Sequence, residues 1–176
     1  SNFIVAKFNL YQLSTGELLR NEIQNKTKLG QEIKSIMDTG NLVSNEIVSD
    51  LIEKYISDTN YNNKIIFDGY PRNLNQAKNL DVLLKKYNQK IDLALKLSVT
   101  LKTIKKRISE RKLQEKRSDD LEEIAVKRFE TYEKNINPVI DFYKQSKLLK
   151  VINGEGSITQ INNEISEIIE GIKGWL

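Results

Sequence analysis

The sequence predicts an α/β domain built around a parallel sheet, and two observations predict it. Lys64–Phe67, Ile91–Leu97 and Leu148–Ile152 are short apolar runs of the kind that form strands buried on both faces. Each is separated from the next by a stretch with helical spacing, which is the pattern of parallel strands joined by crossover helices. The chain holds only 2 Pro and 8 Gly in 176 residues, so regular structure is expected along most of it. It has no internal repeat and no low-complexity linker, and its length suits one domain.

The elements follow in order. Phe3–Phe8 reads as the end of an amphipathic helix whose start is not seen, and the chain opens on Ser1 rather than Met, so a segment upstream is expected. Ser14-Thr15-Gly16-Glu17 matches a capping box ahead of a helix carrying Leu18, Leu19 and Ile23. Gly30 to Asp38 repeats the helical spacing through Ile33, Ile36 and Met37, closed by Gly40. Ser44 caps a third helix with Ile47, Val48, Leu51, Ile52 and Tyr55. After the first strand, Asn73 to Tyr87 is helical. After the second, a helix runs from about residue 100 to 112. Asp119 or Asp120 starts a long helix to about Ser146, which Pro138 is expected to kink or divide. Beyond the third strand, Ser157 begins the last helix, ending near Gly171. A parallel sheet of these strands alone is thin, which again points to a missing strand upstream.

Composition narrows the chemistry. With no Cys and no His, neither disulfides nor thiolate or imidazole metal sites can form, and the commonest general base is absent. Catalysis must then use Lys, Arg, carboxylates, hydroxyls and backbone amides. Phosphoryl transfer fits, because it needs positioning and charge stabilisation more than a tuned base. The net charge of +4 is compatible with nucleic-acid binding, but Lys and Glu alternate along the helices instead of forming blocks, so neither a nucleic-acid face nor a membrane face is expected. No apolar run approaches the roughly 20 residues of a membrane span, and a cytoplasmic location is the default.

The candidate site residues cluster around Ile65-Ile66-Phe67-Asp68-Gly69-Tyr70-Pro71-Arg72. Asp68 ends a strand, where ligands of open α/β sheets bind, and its carboxylate can hold the water shell of Mg²⁺ beside phosphates. Asp-Gly is also an ordinary turn signal. Pro71 stiffens the segment and restricts Tyr70, which sets Arg72 at the mouth of the sheet. Arg107 and Arg111 lie four apart on one helix face; Arg117 and Arg128 follow. Each arginine presents a permanently charged planar fork suited to phosphate. A solvated basic face would account for any one of them alone. Neighbouring lysines at 102, 105, 106, 112 and 116 already supply such a face, which favours a phosphate role for the set. Thr15 and Arg20 flank a helix start where amides and dipole suit an anion, although, read alone, they are better explained by a plain cap and a surface arginine.

Taken together, these residues resemble the adenylate kinases. Phe67-Asp68-Gly69-Tyr70-Pro71-Arg72 with Gln76 is similar to that family's signature, and Ser14–Arg20 to its AMP-site helix. Gly40-Asn41-Leu42-Val43, Arg107-x-x-x-Arg111, Arg117-Ser118-Asp119-Asp120, Lys127-Arg128 and Val151-Ile152-Asn153-Gly154 continue the likeness along essentially the whole chain. The resemblance implies a P-loop-kinase-type parallel sheet flanked by helices, with a core of 1–13, 60–111 and 118–176, an AMP-binding insertion of 14–59 and a short lid of 112–117. It implies reversible transfer between ATP and AMP to give two ADP, with Mg²⁺, in a monomer. Thr15, Arg20, Met37, Asn41, Leu42, Val43, Gly69, Tyr70, Pro71, Arg72 and Gln76 would form the AMP site, with Arg117 and Arg128 reaching it. Arg107, Arg111 and Gly156 would serve ATP. Arg111, Arg117 and Arg128 would neutralise the transferred group, and Asp68 would hold Mg²⁺ through water. The lid is too short for the zinc-binding form of some relatives, and zinc is not expected. The family's G-x-x-G-x-G-K-[ST] phosphate loop and first strand are not among these residues, so a polypeptide of this sequence is expected to be inactive or severely impaired. An AMP-binding module without catalysis and a UMP or CMP kinase of the same fold are the alternatives.

Overall fold

The computed structural model describes residues 2–115 and 122–172. In chain order the elements are α1 (Asn2–Phe8), β1 (Tyr11–Ser14), α2 (Thr15–Gln24), α3 (Lys28–Asp38), α4 (Asn45–Ile56), a 3₁₀ turn (Thr59–Tyr61), β2 (Ile65–Asp68) and α5 (Leu74–Lys86). They continue with β3 (Ala94–Ser98), α6 (Leu101–Glu115), α7 (Glu122–Gln145), β4 (Leu149–Asn153) and α8 (Ile158–Glu170).

The mixed α/β class is as expected, but the sheet differs in two ways. Tyr11–Ser14, where the sequence indicated no element before the Ser14 cap, is a strand. Its pairing with β2 is parallel, from Tyr11↔Ile65 to Ser14↔Asp68. Strands β3 and β4 pair parallel as well, from Ala94↔Leu149 to Ser98↔Asn153. Hydrogen bonding therefore gives two separate two-stranded sheets among the described residues, not one sheet of three strands. Helix α7 runs through Pro138 without dividing, and α6 continues to Glu115, past the expected end near 112 and into the stretch assigned to a lid.

Local chemistry explains where the helices start. Ser14, Thr27, Ser44, Asn73 and Ser157 are N-caps whose side chains accept from the amides of Glu17, Gly30, Ile47, Gln76 and Gln160. The reciprocal capping box occurs at Ser157–Gln160, where Gln160 Oε1 also accepts from the Ser157 amide.

Two apolar clusters hold the elements together. One joins Leu13 and Leu19 to Ile33, Ile52, Ile56, Leu80 and Leu84, packing the three helices α2–α4 against the β1–β2 pair and α5. The other gathers Ala77, Val139 and Tyr143 beneath Ala94 and Leu149 of the β3–β4 pair. Helix α5 contributes to both, Leu80 and Leu84 to the first and Ala77 to the second, so this one helix ties the two strand pairs together. Burial pushes the Tyr143 hydroxyl up to about 12. At the other end of the chain, α1 packs on α8, with Ile4 buried and Lys7 paired to Glu170 at 2.7 Å.

Ile52 is fully buried in the first cluster, whereas Val82 of α5 is 68% exposed. Ile52→Ala is expected to destabilise the fold by about 2–5 kcal/mol, through lost burial and a residual cavity. Val82→Ala should change it by less than about 0.5 kcal/mol. Urea unfolding of both variants checks the pair, and similar losses would contradict this account of the core.

Candidate active site

The β1–β2 register ends with Ser14 opposite Asp68, so the residues that follow, Thr15 and Gly69, emerge side by side at the carboxyl edge of the pair. Thr15 Oγ1 donates to the Gly69 carbonyl at 3.4 Å, and the same carbonyl accepts from Arg72 Nε at 2.7 Å. Gly69 has φ +69°, and a Cβ there would stand 3.2 Å from Arg72 Nη2. The Tyr70–Pro71 peptide is cis, a feature that no sequence signal announced. Arg72 N donates to Gln76 Oε1 at 2.7 Å, and Gln76 N donates to Asn73 Oδ1 at 2.9 Å. The Tyr70 hydroxyl donates to the Gln76 carbonyl at 3.4 Å, and burial pushes it up to about 12.

This framework forms one side of a cavity. The facing wall is Met37 with the turn Asn41-Leu42-Val43, and helix α2 supplies Thr15, Gly16, Leu19 and Arg20 from its first turns. Val48 of α4 completes the apolar lining. Helix α7 closes over the Gly40 turn. Gly40 has φ +73°, and a Cβ there would lie 3.2 Å from Ile124 Cγ2 and 3.7 Å from Arg128 Cγ. That close approach is what brings Arg128 to the cavity.

Three guanidinium groups, of Arg20, Arg72 and Arg128, therefore converge on one partly apolar pocket. The Arg72 guanidinium is held below the usual arginine range, chiefly by desolvation and then by the like charge of Arg128. Asp68 opposes this shift, and Arg20 adds to it. Like charges so placed raise each other's free energy unless an anion joins them, and the α2 N-terminus adds its positive dipole end to the same space.

Of the residues expected at the acceptor site, Thr15, Arg20, Met37, Asn41, Leu42, Val43, Gly69, Tyr70, Arg72, Gln76 and Arg128 all line this cavity; Pro71 does not. Arg117 lies outside the described residues, as does the side chain of Arg111. Gly16, Leu19 and Val48 line it without having been singled out. Their signal was available, since Leu19 and Val48 stand one helical turn after Thr15 and Ser44.

Asp68 sits beside the cavity, exposed, with Oδ2 accepting from Gln12 Nε2 at 2.5 Å. Among the described residues no group of three or more acidic side chains is arranged to cage a metal. A lone carboxylate with one oxygen engaged fits Mg²⁺ held through water, and does not fit a resident, directly ligated ion.

A second polar cluster surrounds the β4–α8 loop. Arg107 Nη2 donates to the Gly154 carbonyl at 2.7 Å. The Glu155 carboxylate, unforeseen from sequence, accepts from Thr100 N at 2.6 Å and Thr103 Oγ1 at 2.5 Å, clasping the loop to the start of α6. These bonds, the Thr103 hydroxyl first, hold its carboxyl below the usual range. The clasp is therefore complete above the ordinary carboxylate range and is lost as pH falls through the lowered value. Gly156 follows in the same loop, packed against the Gln160 side chain.

The chain is similar to known proteins along most of its length. The adenylate kinase family model matches residues 1–148. The adenylate kinase of Pelagibacter ubique is 39% identical, over 95% of this chain and 91% of its own length. That of Leptospira biflexa is 38% identical over 96% and 91%, and that of Fusobacterium nucleatum 36% identical over 96% and 90%. A cavity ringed by arginines at the carboxyl edge of parallel strands defines a phosphate-handling α/β protein. The chain belongs to the adenylate kinase family.

Gly69→Ala is expected to destabilise the protein by about 1–2 kcal/mol, because an L-residue is forced into the left-handed region. It should also displace the Arg72 guanidinium. Urea unfolding measures the first effect, and a stability equal to the parent chain would contradict the strain reading.

Proposed function

We propose that this cavity is the acceptor site of an adenylate kinase, which transfers a phosphoryl group reversibly from ATP to AMP and yields two ADP. The observation that carries this reading is the convergence of Arg20, Arg72 and Arg128 on a pocket whose other walls are Leu19, Met37, Val43 and Val48. Cations and apolar side chains lining one pocket suit a nucleoside monophosphate, with its phosphate toward the arginines and its base toward the apolar walls.

In this reading the transfer relies on positioning and on charge rather than on a general base. Arg72, anchored by the Gly69 carbonyl, grips the AMP phosphate, while Arg128 lies across the path of the transferred group. Gln76, buried and already engaged with the Arg72 amide, reads the adenine edge, and Thr15 lies under it. Arg107 and the 153–156 loop receive the ATP base, with Gly156 in the wall. Arg111 and Arg117 join Arg128 in neutralising the phosphoryl group. Mg²⁺ comes with ATP and would supply charge neutralisation at its phosphates, with Asp68 orienting a water of its shell. We place the enzyme in the cytoplasm as a monomer, with the nucleotides as its partners.

Arg72→Ala is expected to weaken AMP binding by about 10–100-fold, the worth of a charge-assisted contact, and ATP binding far less. Calorimetric titration with each nucleotide tests this, and equal losses for both would remove Arg72 from the acceptor site. The adenine assignment is tested separately by competition. AMP should displace a fluorescent nucleotide from the cavity at lower concentration than UMP or CMP, and the reverse order would favour a pyrimidine-nucleotide kinase.

A further inference from the structure

The two walls of the acceptor cavity come from different parts of the chain. Asn41-Leu42-Val43 lead into α4, and Gly69 to Gln76 lead into α5. One half-buried side-chain bond joins the two helix starts: Asn73 Nδ2 donates to Asn45 Oδ1 at 3.0 Å. The orientation of both amides is fixed by chemistry. Asn73 Oδ1 is committed as the α5 cap, accepting from Gln76 N at 2.9 Å, so the group facing α4 must be its NH₂ donor, and Asn45 must offer an oxygen.

The bond belongs to a continuous chain. From Asn45 it passes through Asn73 to the Gln76 amide; Gln76 Oε1 accepts from Arg72 N at 2.7 Å; and Arg72 Nε donates to the Gly69 carbonyl at 2.7 Å. Each residue beyond Asn73 in this chain lines the cavity; Asn45 and Asn73 do not. Asn45 is the first residue of α4, just after the Ser44 cap, two positions past Val43 and three before Val48, both of which are buried cavity walls. A shift of Asn45 therefore moves the apolar wall relative to Arg72 and Gln76, the groups proposed to hold phosphate and base.

We propose that Asn45 is a positioning residue for the acceptor nucleotide: acting through Asn73, it holds the α4 wall of the cavity in register with Arg72 and Gln76. The inference rests on the reading of this cavity as the AMP site. It requires an oxygen acceptor at position 45, not an amide as such. Aspartate satisfies it, and at the first turn of a helix a carboxylate also favours the dipole, so Asn45→Asp keeps the bond without cost to α4. Asn45→Leu preserves size and removes the acceptor, leaving the Asn73 donor without its partner.

The test is AMP titration by calorimetry on the 176-residue chain and on both variants, with amide hydrogen exchange of the unliganded proteins. Asn45→Leu should weaken AMP binding about tenfold and speed exchange of the Gln76 amide, while leaving the midpoint of thermal unfolding within a few degrees. Asn45→Asp should restore AMP affinity to within about threefold of the parent and restore slow exchange. AMP affinity in Asn45→Leu equal to the parent overturns the proposal. So does an Asn45→Asp chain as weak as Asn45→Leu, because the acceptor would then not be what matters. A parent chain that binds no AMP, with Gln76 exchange still responding to position 45, would sink the site reading, leaving the link as a purely structural contact and the positioning role refuted.

Discussion

The parallel register of β1 and β2 is the constraint from which the site follows. It ends both strands at the same level, so that Thr15 and Gly69 leave the pair as neighbours. The Gly69 carbonyl then receives two donors, the Thr15 hydroxyl and the Arg72 guanidinium, which no other pairing would bring to one oxygen. Sliding the register by one residue would turn Leu13, now fully buried, toward the opposite face and separate the two segments. Core packing and site geometry are thus specified by one set of backbone bonds, which is why a strand of four residues matters so much here.

Electrostatics explains why so much structure surrounds a single arginine. Arg72 lies exposed beside two other guanidinium groups, and the packing around it, with their like charge, holds it below the usual arginine range. The fold offsets this with the Gly69 carbonyl, with the charge of Asp68 and with a helix that caps the segment at Asn73. Arg72 is thereby fixed before any anion arrives, and little ordering is left for the anion to impose. Arg128 reaches the cavity because Gly40 leaves room for α7 to lie against the turn.

The parts of this arrangement legible in the sequence were those carried by residue type at fixed spacing. Ser14, Ser44 and Asn73 announced helix starts, and Asp68-Gly69-Tyr70-Pro71-Arg72 announced a strand end with a committed arginine. What stayed hidden was carried by tertiary contacts. Tyr11-Gln12-Leu13-Ser14 buries only Leu13 fully, so it lacks the apolar run that marked the other strands, and the Ser14 cap signal drew the segment toward α2. The division into two strand pairs could not be read, because periodicity reports a strand and not its neighbour. Pro138 did not break α7; a proline removes one hydrogen bond, and Val139 and Tyr143, buried against α5 and the β3–β4 pair, hold the following turns in place. The Asn45–Asn73 bond and the Glu155 clasp join residues far apart in sequence, and no local pattern predicts either.

The two polar clusters differ in kind, and the difference bears on how the parts cooperate. The proposed acceptor cavity is braced mostly by half-buried bonds, with the Arg72–Gly69 bond exposed, and it rests on the first apolar cluster. The Glu155 clasp is exposed and joins α6 to the β4–α8 loop. Exposed charged contacts open at little cost, whereas buried networks open only with the packing around them. The proposed AMP site thus rests on packed contacts, whereas the loop proposed for ATP is held by exposed ones. The bonds that brace the proposed acceptor framework come from neither α6 nor the β4–α8 loop.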